Sequence, residues 1–228
     1  TVKKHVLSHW PDTDEKKILV ITPGIDPAEF PPAFKVDEQW RRDFFRDYPR
    51  LQGGKLLLLP ARATRLKGHS TALNLLLALR REYGDVRLCC LGAKQESREK
   101  YRLELEKRAA QLGLSDCLEF TPPINAVANV YALADLVLQL SSKPEAFGRT
   151  VLEALSIGKP VLGWNLGGVG ENLQRYFPQG LVDAFDEQAL CRTAKKILEE
   201  NMLPQEQALP SLSSMQSNMM AVYEQLCP

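Results

Sequence analysis

Two basic residues, Arg62 and Lys67, and two glutamates, Glu145 and Glu153, stand where this sequence can do chemistry. The stretch "PARATRLKGH" (60–69) leaves an apolar run carrying Arg62, Arg65 and Lys67 and reaches Gly68. The stretch "SSKPEAFGRTVLEAL" (141–155) leaves a second apolar run and leads into a helical pattern. Positive side chains beside free backbone N–H groups at a helix start make a site for a phosphate or diphosphate. A carboxylate touching a diphosphate would be repelled. Set to either side of one, it accepts hydrogen bonds from neutral hydroxyls. A ligand with a central diphosphate and hydroxyl-bearing rings at both ends is a nucleotide sugar. One glutamate then takes the ribose and the other the transferred sugar.

Each of these residues has a plainer reading. Arg62 and Lys67 also read as solvated loop charges, as most such residues are. "TVLE" fits a capping box, with Thr150 as N-cap and Glu153 bonding back to the Thr150 backbone. Glu145 also reads as a solvent-facing acid favoured by the helix dipole. The residues alone leave both readings open.

The elements that must position them come from the hydrophobic pattern. Unbroken apolar runs at 17–22, 55–59, 86–91, 117–120, 135–140, 161–164 and 180–183 predict strands buried on both faces. Helices are expected over 37–48, 70–84, 96–113, 126–133, 187–201 and 211–226, with Asn125 capping the fourth. Strand–helix alternation with short loops predicts an α/β fold, a Rossmann-like, doubly wound, mostly parallel sheet. Ligands of such sheets bind outside the carboxyl ends of the strands. That directs attention to the loops at 60–69, 92–95, 121–125, 141–149 and 165–168. "PGIDPAEFPPAF" (23–34) is a proline-rich connector.

Composition narrows the function. The 228 residues carry 29 Lys plus Arg against 28 Asp plus Glu, a formal net charge of +1, so no nucleic-acid partner is expected. The five cysteines form no CxxC pair and read as reduced thiols of a cytoplasmic protein. No apolar run is long enough to span a membrane. The helix in "QWRRDFFRDYPR" has two readings: peripheral contact with an anionic membrane, or Trp40, Phe44 and Tyr48 packed on the domain, which is preferred. No DxD-like cluster is present, and His5 and His9 lack further ligands, so neither a metal nor another cofactor is expected.

With these residues in place, the chain resembles the C-terminal, donor-binding half of a family 4 (group 1) retaining glycosyltransferase of GT-B fold. Three stretches carry the resemblance: "VITPGIDPAEF", "LLLLPARATRLKG" and "ALADLVLQLSSKPEAFGRTVLEALSIGKPVLGWNLGGVGENL". They are similar to the family's inter-domain connector, its phosphate-binding strand and loop, and its E-x7-E segment with the following Gly-Gly-x-x-Glu turn. The resemblance implies that Arg62 and Lys67 contact the diphosphate and that Glu145 bonds the donor sugar, with Phe147 and Gly148 backbone groups nearby. It implies that Thr150 and Val151 face a phosphate and that Glu153 holds the ribose. The strand end around Pro122 passes the base, and Gly167 and Gly168 let the next loop approach. The family's usual Gly before the phosphate-binding arginine is Ala61 here, and the connector's usual Asn is Pro23.

The combination of "TRLKG" with "PEAFGR" is most similar to bacterial lipopolysaccharide and surface-glycan members. The partners so implied are a UDP-, GDP- or ADP-linked sugar, a glycan or glycolipid acceptor, and an N-terminal acceptor domain outside this chain. Residues 1–30 then form the connector from that domain, and 211–228 a closing helix whose apolar stripe partly lacks a partner. Such a half is expected to be inactive alone and cytoplasmic, with a peripheral position on the cytoplasmic face of the inner membrane as the alternative. A nucleotide-sugar epimerase of the same fold needs acid/base residues beside the sugar, and no His lies in 141–171. A non-catalytic α/β binding or scaffold domain is the other alternative.

Overall fold

A computed structural model of the chain describes residues 2–227. Six strands form one parallel sheet: β1 (Lys55–Pro60), β2 (Val86–Leu91), β3 (Leu118–Phe120), β4 (Leu136–Gln139), β5 (Val161–Trp164) and β6 (Leu181–Val182). Their spatial order is β3-β2-β1-β4-β5-β6, with every pairing parallel. Leu57 and Leu58 of β1, Leu88 and Cys89 of β2 and Leu136 and Val137 of β4 are fully buried on alternating faces. That is what an unbroken apolar run requires of a sheet covered on both sides.

The helices are α1 (Val2–His9), α2 (Glu38–Asp47), α3 (His69–Glu82), α4 (Glu99–Gln111), α5 (Val127–Leu133), α6 (Arg149–Ser156), α7 (Gly167–Tyr176), α8 (Glu187–Glu199) and α9 (Leu212–Leu226). The strand order reverses between β1 and β4. The crevice at their carboxyl ends is the switch point where such sheets bind ligands.

Four expectations need correction. The run at 17–22 is not a strand. A 3₁₀ turn (Glu15–Lys17) is followed by extended chain in which Leu19 and Val20 are exposed, because no neighbouring strand offers a ladder. Asn125 does not cap α5, whose N-cap is Ala126 without a side-chain bond. The last two residues of the expected loop at 165–168 already belong to α7. Thr150 is not an N-cap either: α6 begins one residue earlier, behind Gly148.

The aromatic face of α2 packs inward. Phe44 is buried with Trp40 stacked on it at 5.2 Å, while Arg46 pairs with Asp43 and Asp47 at the surface. The packing reading of that helix holds. None of the residues of α9 is buried, and Met220, Tyr223 and Leu226 are exposed. Cys227 is exposed, whereas Cys89 and Cys90 are buried in the sheet. Burial pushes the Cys89 thiol up to about 12. Among the described residues no helix is long and apolar enough to cross a membrane.

Candidate functional site

The two loops singled out in the sequence meet at the switch point. The Ser142 N–H donates to the Leu66 carbonyl at 2.8 Å, tying the loop after β1 to the loop after β4. Gly68 caps α3 at φ 76°, and a Cβ there would lie 2.2 Å from the Leu140 carbonyl oxygen. The chain can therefore turn into α3 against the end of β4 only without a side chain.

Across this seam Lys67 Nζ donates to Glu145 Oε1. Ser141 Oγ donates to the same oxygen at 2.5 Å, and Gln139 Nε2 donates to Oε2 at 3.3 Å. Gln139 and Ser141 are themselves buried. Glu145 is thus held by three donors on a rigid strand end and retains lone pairs for a ligand hydroxyl. Its backbone is fixed as well. Gly168 N–H donates to the Glu145 carbonyl at 2.7 Å, and Glu145 bridges to Gly167 in parallel register.

Gly167 and Gly168 begin α7 and lie in close contact with the loop after β4. A Cβ on Gly168 would stand 2.6 Å from the Phe147 backbone. Asn172 of α7, which sequence reasoning missed, donates through Nδ2 to the Phe147 carbonyl at 2.6 Å. Phe147 packs against the core beneath this loop. Three helices, α3, α6 and α7, therefore begin at the carboxyl edge of three adjacent strands. Their positive ends converge there. The Val151 amide already donates to Gly148 O at 3.0 Å and its side chain is fully buried, so it does not face an anion. Only Arg149 and Thr150 precede it in the helix.

Arg62 is exposed on the same loop as Lys67, and its guanidinium has no partner among the described residues. Arg65 points away, pairing with Glu104 at 2.6 Å over the Tyr101 ring. Glu153 makes no capping box. Its Oε2 accepts from the Tyr131 hydroxyl at 2.9 Å, and its Oε1 meets Arg149 Nε at 2.6 Å. Pro122 is exposed beyond β3, two strand spacings, about 10 Å, from β1. The structure does not bring it into contact with the other residues.

His69, the first residue of α3, was not singled out from sequence. It is 1% exposed, edge-on to Tyr101, and neither ring nitrogen has a hydrogen-bond partner. Burial lowers its pKa to about 4. Backbone groups of Ala61 and Thr64 pull the other way without closing a bond of normal geometry. The folded chain thus refuses a proton that the unfolded chain binds below pH 6.5. His69 costs no such stability above pH 6.5; stability falls as pH drops through that range and levels off below about 4. The expected loss is about 3 kcal/mol. Denaturant melts of wild type and His69→Leu should diverge by that amount in favour of the variant between pH 7 and pH 4. Parallel pH profiles would show that His69 is already solvated or paired.

Among the described residues no cluster of three His, Cys, Asp or Glu is placed to hold a metal.

This arrangement has relatives. The family model described as "Glycosyl transferases group 1" matches residues 41–209. A D-inositol 3-phosphate glycosyltransferase of Pseudarthrobacter chlorophenolicus is 33% identical over 168 residues, covering 72% of this chain and 37% of that protein. The chain thus spans less than half the length of that relative. Among solved structures, a glycosyltransferase from Rickettsia africae superposes with a TM-score of 0.81 at 24% identity, covering 98% of this chain and 61% of its own. Anabaena HepE in complex with UDP and glucose gives 0.73 at 21% identity, covering 87% and 52%. WaaG, a glycosyltransferase involved in lipopolysaccharide biosynthesis, gives 0.68 at 21% identity, covering 86% and 50%. These structures share the parallel α/β fold, and the chain belongs to the group 1 glycosyltransferases.

Proposed function

We propose that the chain is the donor-binding C-terminal half of a retaining glycosyltransferase that uses a nucleoside-diphosphate sugar. The observation that carries this is the seam between β1 and β4. There Lys67 pairs with a fixed carboxylate, Glu145, on the loop that also carries Arg62, unpartnered among the described residues, and three helices begin along the same sheet edge. Breaking the sugar–phosphate bond builds negative charge on the leaving diphosphate. Arg62, Lys67 and the first amides of α6 stabilise that charge more in the transition state than in the ground state. Glu145 takes donor-sugar hydroxyls, Glu153 the ribose, and the strand end at Pro122 passes the base.

Residues 1–30 serve as the connector to an N-terminal acceptor domain and 211–228 as the closing helix, so the chain alone is inactive. Relatives and structural neighbours carry names that point both to D-inositol 3-phosphate and to lipopolysaccharide biosynthesis. For this chain the "TRLKG" and "PEAFGR" loops favour a glycan or glycolipid acceptor in lipopolysaccharide or surface-polysaccharide synthesis, at the cytoplasmic face of the membrane. The epimerase reading finds no support, because the histidine nearest the site, His69, is buried and neutral.

Calorimetric titration with UDP, GDP and ADP tests the reading, and failure to bind any of them would favour a scaffold. Glu153→Gln sharpens it. The variant keeps an acceptor for Tyr131 and loses only the ion pair with the exposed Arg149, so its stability should fall by no more than about 1 kcal/mol, yet it should bind the nucleotide about 3- to 30-fold more weakly, since an ionised acceptor becomes a neutral one. Undiminished affinity would place the ribose elsewhere.

A further inference from the structure

Glu153 is held on both oxygens, and the two partners are unlike. Tyr131 is 1% exposed, sits on α5 against Phe30, and presents its hydroxyl to Oε2. Burial, and then the neighbouring Glu153 charge, push its phenol well above the ordinary tyrosine range, so it remains a donor.

Arg149, by contrast, has a side chain 61% exposed, while that of Glu153 is 13% exposed. It occupies the first position of α6, where the helix dipole disfavours a cation. It lies N-terminal to its glutamate at i,i+4, the weaker order for such a pair. Helix stability therefore does not account for Arg149. Its guanidinium also stands 3.9 Å from Glu29 of the connector, so a second carboxylate is ready to receive it.

We infer that Tyr131 is a positioning residue that aims Glu153 at a vicinal diol, and that Arg149 is the internal cation the diol displaces from Oε1. This rests on the reading of Glu153 as the ribose ligand. The buried hydroxyl fixes one oxygen permanently, leaving the edge nearer solvent for the ligand. Arg149 covers that edge until two ligand hydroxyls replace it, and then moves to Glu29. The ligand class so selected is a ribonucleotide with both 2′- and 3′-hydroxyls.

The test uses the full 228-residue chain, whichever of UDP, GDP and ADP binds, and the 2′,3′-dideoxy counterpart of that nucleotide. Tyr131→Phe should weaken the ribonucleotide about 2- to 12-fold, the range of one ordinary hydrogen bond, with the dideoxy form unchanged. Arg149→Ala should tighten the ribonucleotide up to about 5-fold, the value of an exposed ion pair, again sparing the dideoxy form. Equal weakening of both ligands by Tyr131→Phe would mark a purely structural role and overturn the inference. Weakening of both by Arg149→Ala would mean that Arg149 contacts the phosphates, and it would overturn the inference equally. If Tyr131→Phe does not fold, the exposed Arg149→Ala decides alone. A ribose preference that Glu153→Gln abolishes but both other variants keep defeats this inference only. Absence of any ribose preference in wild type, or its survival in Glu153→Gln, defeats the ribose reading itself.

Discussion

Lys67→Ala is expected to weaken nucleoside-diphosphate binding about 10- to 150-fold, and Arg62→Ala by a similar factor. Each substitution removes a charge-assisted hydrogen bond to phosphate, worth about 1.5–3 kcal/mol. The folded state should scarcely notice. Arg62 is exposed and unpartnered among the described residues, so its loss should stay within about 0.5 kcal/mol. Lys67 leaves behind Glu145, but Ser141 and Gln139 still donate to both carboxylate oxygens, so no buried charge is stranded. The double variant should lose less than the sum, since both cations would act on one diphosphate. Calorimetry on the single and double variants measures all of this. Unchanged affinity in both single variants would remove the diphosphate from this loop, whatever the family resemblance implies.

The parts of this site visible in the sequence are those in which local chemistry and tertiary role coincide. "KLLLL" reads as a buried strand and is one, because four apolar residues in succession have no solvent face to offer. "KILVIT" is another apolar run behind a lysine and is not a strand. Whether a neighbour exists to share its hydrogen bonds is a tertiary fact that no local pattern encodes. The segment carrying Gly167, Gly168 and Gly170 looks like a loop because glycine weakens helices by about 1 kcal/mol each. It is helical all the same, and its glycines lie against the Glu145, Phe147 and Asn165 backbones, where a side chain would collide.

Glu153 shows the same limit from the other side. Its capping-box spacing is genuine, yet the local partner loses to a buried phenol 22 residues earlier. Tyr131 itself sits in an apolar helix and reads there as core. Gln139 and Ser141 were likewise invisible as supports of Glu145, since a polar residue at a strand end has many ordinary reasons to be present. The charged groups of the site were legible. The neutral donors that aim them were not.

Gly68→Ala should be the most damaging conservative change at the site, in both stability and binding. The αL conformation alone costs a residue with a Cβ about 1–2 kcal/mol. The new Cβ would also stand 2.2 Å from Leu140 O and 2.5 Å from Leu140 Cβ, so the start of α3 must shift off the end of β4. A forced rearrangement of packed backbone adds about 1–3 kcal/mol. A combined loss near 3 kcal/mol lowers the melting temperature by about 6–12 °C for a chain of this size. The shift also separates Lys67 from Glu145 and breaks the Ser142–Leu66 tie, so nucleotide affinity should fall at least about 10-fold even in the folded fraction. Gly113→Ala is the matched control. It has φ 71° but nothing within 4 Å of its Cβ, and it ends α4 far along the chain from the seam. It should show the αL cost alone, with nucleotide binding intact. If the two variants melt and bind alike, the close approach of the α3 start to β4 does not exist in solution. The seam that joins the basic loop to Glu145 would then lose its structural basis.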